Sequence, residues 1–225
     1  MGRQGKRYRS DIEKADKQPV SLSEAVERIK GFAATKFDQS VELCMHLGID
    51  PKQADQMIRG SLSLPHGIGA TKRVIAFCSE DKTDEAKKAG AIEAGSEELV
   101  KKIGDGWMDF DVAIAEPAMM KFVSKLGRTL GPKGLMPSPK SGTVTPNVAE
   151  AVKEYAAGKV EFRNDDTGNV HAVVGKHSFS AEQLVDNSQS FIDQINKMKP
   201  AATKGQFIRK ISMSATMTPG VVVAE

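Results

Sequence analysis

The chain has 225 residues, 40% of them apolar, 5% aromatic and 27% charged, with a formal net charge of +3. This is a normal globular mixture, and the few aromatic residues exclude a protein built on stacked rings. No apolar run approaches the ~18 residues of a membrane span, and the first residues lack the apolar core of a secretory signal. Cys44 and Cys78 lie in separate apolar runs, which favours free thiols in a reducing cytosol over a disulfide.

Basic residues are concentrated in three tracts that contain no acid. The tracts are residues 1–10 (Arg3, Lys6, Arg7, Arg9), residues 117–149 (Lys121, Lys125, Arg128, Lys133, Lys140) and residues 194–224 (Lys197, Lys199, Lys204, Arg209, Lys210). One such tract is as consistent with a solvated face as with a binding surface. Three of them in a nearly balanced chain favour contact with a polyanion such as nucleic acid.

In chain order, the first segment predicts a helix and then two strands. A helical apolar face follows a serine cap, Ser21 or Ser23, and predicts a helix over residues 21–30. Apolar and polar residues alternate over residues 37–49, which predicts a strand, and residues 60–65 predict a second one. The polar face of the first strand carries Ser40, Glu42, Cys44 and His46.

The middle segment alternates strands with helices. Residues 73–78 are a continuous apolar run, typical of a strand buried on both faces, and residues 111–116 repeat the pattern. Helices predicted between these strands imply parallel pairing in a Rossmann-like unit. A further helix is predicted over residues 146–158, with Pro146 in its first turn.

The last segment returns to alternation. Residues 159–164 and 170–175 flank the turn sequence Asp-Asp-Thr-Gly, which predicts a β-hairpin. The longest helix follows, with Ser180 and Gln183 as a capping box. Residues 206–217 predict a final strand. Its apolar side carries Ile211, Met213, Ala215 and Met217, and its polar side carries Ser212, Ser214 and Thr216.

These patterns predict a two-domain protein of the α/β and α+β classes. Residues 1–66 and 160–225 are expected to form a discontinuous α+β sandwich, split βαβ-like with an antiparallel sheet. Residues 67–159 are expected to form an inserted Rossmann-like domain of three layers, αβα. The two chain crossings between the domains would make a natural hinge.

Residues 126–144 are rich in glycine and proline, basic and free of acids. Their composition argues against a regular helix or strand. Within them, residues 134–141 resemble a nucleotide-binding P-loop, but Pro139 stands where that loop needs a glycine and supplies no amide hydrogen. A P-loop is therefore excluded. What remains is a secondary basic loop with Arg128, Lys133 and Lys140.

A cofactor site and a catalytic centre are also disfavoured. The turn after the first parallel strand carries four acids that would repel phosphate, where a dinucleotide site needs glycines. The four histidines show no metal-ligand spacing. Cys44 and His46 lack an orienting partner for nucleophilic catalysis. We expect no enzyme, no cofactor and no metal.

Small polar groups dominate the predicted strand faces. The candidate RNA-binding residues are Ser40, Glu42, His171, Ser212, Ser214 and Thr216, bordered by Lys36, Arg163 and Lys176. Such a surface suits phosphates, ribose hydroxyls and base edges, whereas a merely solvated face usually carries more lysine and glutamate. RNA binding is therefore favoured, and a Rossmann-like enzyme and a protein-binding scaffold are the alternatives.

Five motifs carry a family resemblance. They are "LGRTLGPKGLMPSPKSGTV", "FDQSVELCMHLGIDP", "GSLSLPHG", "DGWMDFD" and "VEFRNDDTGNVHAVVGK". Together they resemble the bacterial-type large-subunit ribosomal protein L-one family over nearly the whole chain. The resemblance implies a cytoplasmic two-domain protein, monomeric off the ribosome, that binds large-subunit rRNA at a mobile stalk and helps deacylated tRNA leave the exit site. It also implies binding to the messenger RNA of its own operon, which represses translation.

The resemblance also implies RNA contacts for named residues. They are Phe37, Ser40, Glu42, Thr216, Met217 and Thr218, with Lys36, His171 and Lys176 at the edge. The family usually has glycine where this chain has Thr218, so weaker RNA binding or a hydroxyl in place of a backbone contact is implied. The basic loop is expected either to meet RNA or the first domain, or to pack against Trp107.

Overall fold

The computed structural model describes residues 5–15, 18–203 and 205–224, so Arg3 and Lys204 lie outside the described residues. Its helices are α1 (Lys6–Lys14), α2 (Leu22–Lys30), α3 (Glu80–Lys88), α4 (Glu97–Gly104), α5 (Met120–Val123), α6 (Gly127–Leu130), α7 (Val148–Ala156) and α8 (Ala181–Lys197). Its strands are β1 (Ser40–Leu47), β2 (Arg59–Leu62), β3 (Val74–Phe77), β4 (Glu93–Gly95), β5 (Val112–Ala115), β6 (Val160–Arg163), β7 (Asn169–Lys176), β8 (Ile208–Ala215) and β9 (Val221–Val223).

The chain divides into two compact units. The first comprises Met1–Gly69 and Val160–Glu225, and the second Ala70–Lys159. In the first unit, four antiparallel strands lie in the order β7-β1-β8-β9. Strands β7 and β8 both run antiparallel to β1, so they are parallel to each other and α8 connects them. This is the predicted split βαβ arrangement.

Helices α2 and α8 cover one face of that sheet. Capping decides where each begins: Ser21 accepts a hydrogen bond from Glu24 N, and Ser180 and Gln183 form the predicted capping box. The helices bury Ile29 and Phe191 against the inward face of the strands. The core of the first unit therefore lies on this face only.

A second, two-stranded sheet in this unit pairs β2 with β6. The predicted β6–β7 hairpin is therefore wrong as a two-stranded ladder. Asn164 and Val170 form a single bridge, and Asp165 N donates to Asn169 O at 2.8 Å. The turn signal was real, but the strand before the turn pairs elsewhere because Phe162 packs edge-to-face on Phe191 of α8, with ring centroids 5.3 Å apart.

The second unit is a three-layer αβα arrangement, as predicted. Its parallel sheet has the order β4-β3-β5, and β3 and β5 are buried throughout. Helices α3 and α7 pack on one face, and α4, α5 and α6 on the other. The continuous apolar runs of the two strands reflect this burial on both sides.

Three local expectations need correction. The glycine-rich stretch contains a short α-helix, α6, whose residues 127–130 precede the first proline, and a 3-10 turn at Pro139–Ser141. Pro146 lies before α7 rather than in its first turn, since Asn147 is the N-cap. Helix α1 and strand β9 were not predicted.

Candidate nucleic-acid interface

The outward face of the four-stranded sheet is polar. Val41, Leu43 and Met45 of β1 are fully buried. Successive residues of a strand point to opposite faces, so the other residues of β1 point outward. They are Ser40, Glu42, Cys44 and His46.

Strand register aligns this polar set with residues of the neighbouring strands that are polar except for Val173. The rows across the sheet are Lys176–Ser40, Val173–Glu42–Ser214, His171–Cys44–Ser212 and Asn169–His46–Lys210. Three strands thus bring six of the predicted residues onto one surface. Hydroxyl, imidazole and ammonium groups can all donate hydrogen bonds to phosphate or ribose oxygens.

At one end of this face, three predicted residues form a hydrogen-bonded group. Lys176 Nζ donates to Ser40 Oγ at 2.8 Å. Ser40 N donates to Thr216 Oγ1 at 3.1 Å, and Thr216 N donates to Ser40 O at 3.0 Å. Segments far apart in the sequence therefore meet in one place, which we call the end group (Ser40, Lys176 and Thr216).

Gln39 holds the backbone around the end group. Its side chain is buried, and its Oε1 accepts a hydrogen bond from Met217 N at 2.9 Å. Its own carbonyl accepts from His177 N at 2.8 Å. Sequence reasoning missed Gln39, which lies directly before β1 and carries no sign of its hydrogen-bonding role in the sequence.

Two large apolar side chains point outward beside the end group. Phe37 is 52% exposed and Met217 is 47% exposed. The position of Met217 corrects the expectation that it continues the apolar side of the last strand, because β8 ends at Ala215 and Met217 lies in the following turn. Lys36, next to Phe37, is exposed.

Two other expected residues are placed differently. Thr218 is buried, and its hydroxyl is engaged with the backbone of Ala215, so it does not face outward. Arg163 lies on β6, opposite Arg59 in the two-stranded sheet, and not on the four-stranded sheet. Conversely, Lys210 belongs to the polar face. It lies two residues before Ser212 and four before Ser214, and this even spacing was a signal that could have found it.

The Asp165 turn fixes the far end of the face. Partial burial raises the pKa of the Asp165 carboxyl, but hydrogen bonds from Asn169 and Thr167 outweigh it and hold that pKa below its ordinary value. The charged carboxylate lies 3.8 Å from His171 Nε2.

Burial raises the pKa of the nearby Cys44 thiol, so it stays protonated and is a poor nucleophile.

No metal-binding cluster of three or more His, Cys, Asp or Glu occurs among the described residues. Likewise, none of the helices in the described ranges is long and apolar enough to cross a bilayer. The sheet face itself consists mainly of small polar groups, with the cations Lys36, Lys176 and Lys210 around it.

A family model described as the ribosomal protein L1p/L10e family matches residues 26–219. The chain belongs to this family. The large ribosomal subunit protein uL1 of Rhodopirellula baltica is 59% identical over 224 residues, which cover 100% of both chains. The uL1 protein of Kosmotoga olearia is 50% identical, over 98% of this chain and 96% of the relative. The uL1 protein of Nitratidesulfovibrio vulgaris is 51% identical, over 99% of this chain and 95% of the relative.

These comparisons confirm the family resemblance that the motifs predicted, and they make the chain a ribosomal protein rather than a member of an enzyme family. The L1p/L10e match includes the whole of β1 and β8 and therefore spans the polar face.

The secondary basic loop of this L1p/L10e member lies in the second unit. Arg128, Lys133 and Lys140 are all exposed. The loop is anchored from within, since Tyr155 Oη donates to Ser141 O at 2.6 Å. Leu135 and Met136 pack on the same core cluster as Trp107. The apolar part of the loop is therefore structural, while its cations point to solvent.

Proposed function

We propose that the chain binds large-subunit rRNA with its polar sheet face and the end group. The observation that carries the proposal is the meeting of Ser40, Lys176 and Thr216, with Phe37 and Met217 exposed beside them. The relatives are large ribosomal subunit proteins, and rRNA binding is general in the family. The chain's location is accordingly the large ribosomal subunit in the cytoplasm.

Each kind of side chain has a part in this proposal. Lys36 and Lys176 neutralise phosphates, and the hydroxyls of the end group bond phosphate or ribose oxygens. Phe37 offers a ring on which a base or ribose packs. Glu42 accepts hydrogen bonds from a ribose 2′-hydroxyl or a base amino group, which explains an acid on a surface meant for RNA.

Binding to a transcribed stalk fragment of large-subunit rRNA tests the proposal. Phe37→Ala is expected to lose about 1–3 kcal/mol of binding free energy, the usual value of a base–aromatic contact. Met57→Ala is the matched control, because Met57 is 53% exposed on another loop. Glu42→Ala should also weaken binding, while Glu27→Ala should not. Equal affinity for all four variants would refute the proposal.

We further propose that the rRNA contact places the protein at the mobile stalk, where it assists release of deacylated tRNA from the exit site. The family resemblance supports this role. Ribosomes lacking the protein should release exit-site tRNA more slowly, and adding back the wild-type chain should restore the rate. Unchanged release would refute this part alone.

A second candidate function uses the same face. We propose that it binds a similar fold in the messenger RNA of its own operon and represses translation. A reporter gene that carries this messenger RNA fold should be repressed by the wild-type protein and not by the Phe37→Ala variant. An excess of the rRNA fragment should relieve the repression. Repression that persists with Phe37→Ala would show that mRNA binding does not use the Phe37 contact proposed for rRNA.

Finally, we propose that the secondary basic loop supplies a separate RNA contact through Arg128, Lys133 and Lys140. Their exposure and the absence of acids in residues 117–149 support it, because clustered cations attract phosphate.

A further inference from the structure

A cavity opens beside the turn that contains Met217. Its volume is about 450 Å³, within the range of small-ligand sites. It is lined by Gly5, Arg7, Tyr8, Thr216, Met217 and Thr218. The start of α1 therefore forms one wall and the turn after β8 forms the other.

Two contacts fix α1 in this position. Arg7 Nη2 donates to Met217 O at 3.0 Å. One turn along the helix, Asp11 is fully buried and its Oδ1 accepts a hydrogen bond from Ala33 N at 3.2 Å. The cavity wall is thus part of the packed unit, and Arg7 links it directly to a residue of the proposed RNA surface.

One cation, Arg7, lines the cavity, and none of the six lining residues is acidic. Arg7 Nη1 and, one turn along α1, Asp11 Oδ2 are both buried without a hydrogen-bond partner in the described ranges. Because protein covers Nη1, what Arg7 offers a ligand is its positive charge and the exposed part of its half-buried side chain. A guanidinium fork is well matched to phosphate oxygens.

The apolar lining suits a flat partner. The Tyr8 ring is half-buried in the wall, and the Met217 side chain is exposed at the opposite side. Aromatic rings hold unpaired bases by stacking, and a thioether packs favourably against aromatic systems. The cavity is also continuous with the end group, because Thr216 belongs to both.

We infer that this cavity binds one unpaired nucleotide of the RNA, with its base against Tyr8 and Met217 and its phosphate on Arg7. The inference rests on the proposed rRNA binding and adds to it a nucleotide site built by α1, outside the polar sheet face. A peptide partner is less suited, because the described lining combines a cation and an aromatic ring, Arg7 and Tyr8, with no acid.

The test measures binding of the stalk rRNA fragment to Tyr8→Leu and Tyr8→Phe. Loss of one stacked base lowers affinity by about 5- to 150-fold, so Tyr8→Leu is expected to fall in this range while Tyr8→Phe, which keeps the ring, matches the wild type. Lys14→Ala, which removes a charge from the other end of α1, is the control for a nonspecific electrostatic effect. Circular dichroism confirms that each variant is folded.

Chemical probing of unpaired bases then locates the nucleotide. One base should be protected by the wild type and regain reactivity with Tyr8→Leu. The wild type should bind an RNA that is abasic at that position more weakly than the intact RNA, by the same factor that Tyr8→Leu causes with the intact RNA. The Tyr8→Leu variant should bind the two RNAs equally, since both changes remove the same contact.

The outcomes separate this inference from the proposed function. If the wild type binds and Phe37→Ala weakens binding while Tyr8→Leu does not, the nucleotide site is refuted and the RNA face stands. Additive losses in the abasic experiment, or no change in the reactivity of any base, also refute the site. If the wild type does not bind the fragment, both proposals fail.

Discussion

The hydroxyl of Thr218 accepts a hydrogen bond from the backbone amide of Ala215 at 2.9 Å, across the turn that ends β8. This bond explains how a threonine fits where the family resemblance implies glycine. No residue other than glycine has a positive φ among the described residues, so Thr218 adopts an ordinary backbone conformation. Its hydroxyl shapes the turn from inside, and the turn presents Met217 outward.

Thr218→Val should therefore destabilise the protein. The valine has a similar shape but leaves the buried amide of Ala215 without an acceptor, which costs about 1–3 kcal/mol. Urea unfolding followed by circular dichroism measures the change. Thr129→Val, at an exposed position of α6, should stay within about 0.5 kcal/mol of the wild type. A stable Thr218→Val variant with impaired rRNA binding would show that the hydroxyl faces RNA.

Asn187 is expected to be a key side chain of the first unit. It is fully buried in α8, and its Nδ2 donates to Val174 O at 2.8 Å and to Gly67 O at 2.9 Å. Its Oδ1 accepts from His66 N at 3.1 Å. Removing the amide leaves Val174 O, Gly67 O and His66 N without this hydrogen-bond partner. Asn187→Ala should therefore lower the free energy of unfolding by at least about 2 kcal/mol.

The control for that change lies on the same helix. Asn196 is exposed, and Asn196→Ala should change the free energy of unfolding by no more than about 0.5 kcal/mol. Chemical denaturation of both variants under one set of conditions makes the comparison. If the two substitutions cost the same, the buried amide does not stabilise the unit as argued.

Glu116 should make stability depend on pH. Lys82 Nζ donates to its Oε1 at 2.8 Å, and this hydrogen bond holds the pKa of the Glu116 carboxyl below its ordinary value. A carboxyl with a depressed folded pKa adds stability above its unfolded pKa and loses it as pH falls through the folded pKa. Glu116→Gln should therefore lower Tm at neutral pH. The deficit should begin to shrink as pH falls below about 4.3, the ordinary pKa of a glutamate, and should vanish below the depressed folded pKa.

Glu27→Gln serves as the reference, because Glu27 is exposed on α2. Its thermal unfolding should follow the wild type at every pH. A Glu116→Gln deficit of constant size down to acid pH would mean that the charge of Glu116 is not the source of its stabilisation.

The secondary basic loop should contribute to the salt dependence of RNA binding. If Lys133 and Lys140 each neutralise one phosphate, their joint replacement by alanine should reduce the slope of log K against log salt by about 1–2. Lys87→Ala with Lys88→Ala removes the same charge from exposed positions of α3 and should leave the slope unchanged. An unaltered slope when Lys133 and Lys140 are replaced by alanine would show that the loop does not contact RNA.

Periodicity predicted most of the regular structure, and it failed where tertiary pairing overrides local pattern. The alternation in β1 and β8 fixed which residues share the polar face, because a strand has only two sides. Nothing local indicates that β6 prefers β2 to β7, since that choice depends on Phe162 packing against α8. For the same reason, the sequence does not show that Arg163, predicted to border the polar face, lies on the two-stranded sheet. The predicted domain boundaries near residues 66 and 159, and the RNA contacts themselves, stay predictions.

The central place of β1 has a consequence for synthesis. Cys44 and His171 are neighbours on the polar face although they are 127 positions apart in the sequence, and β8 follows later still. A growing chain on the ribosome therefore carries β1 for most of its translation without either flanking strand. The polar face is therefore assembled only after most of the chain has been synthesised, and any binding that depends on this face begins then.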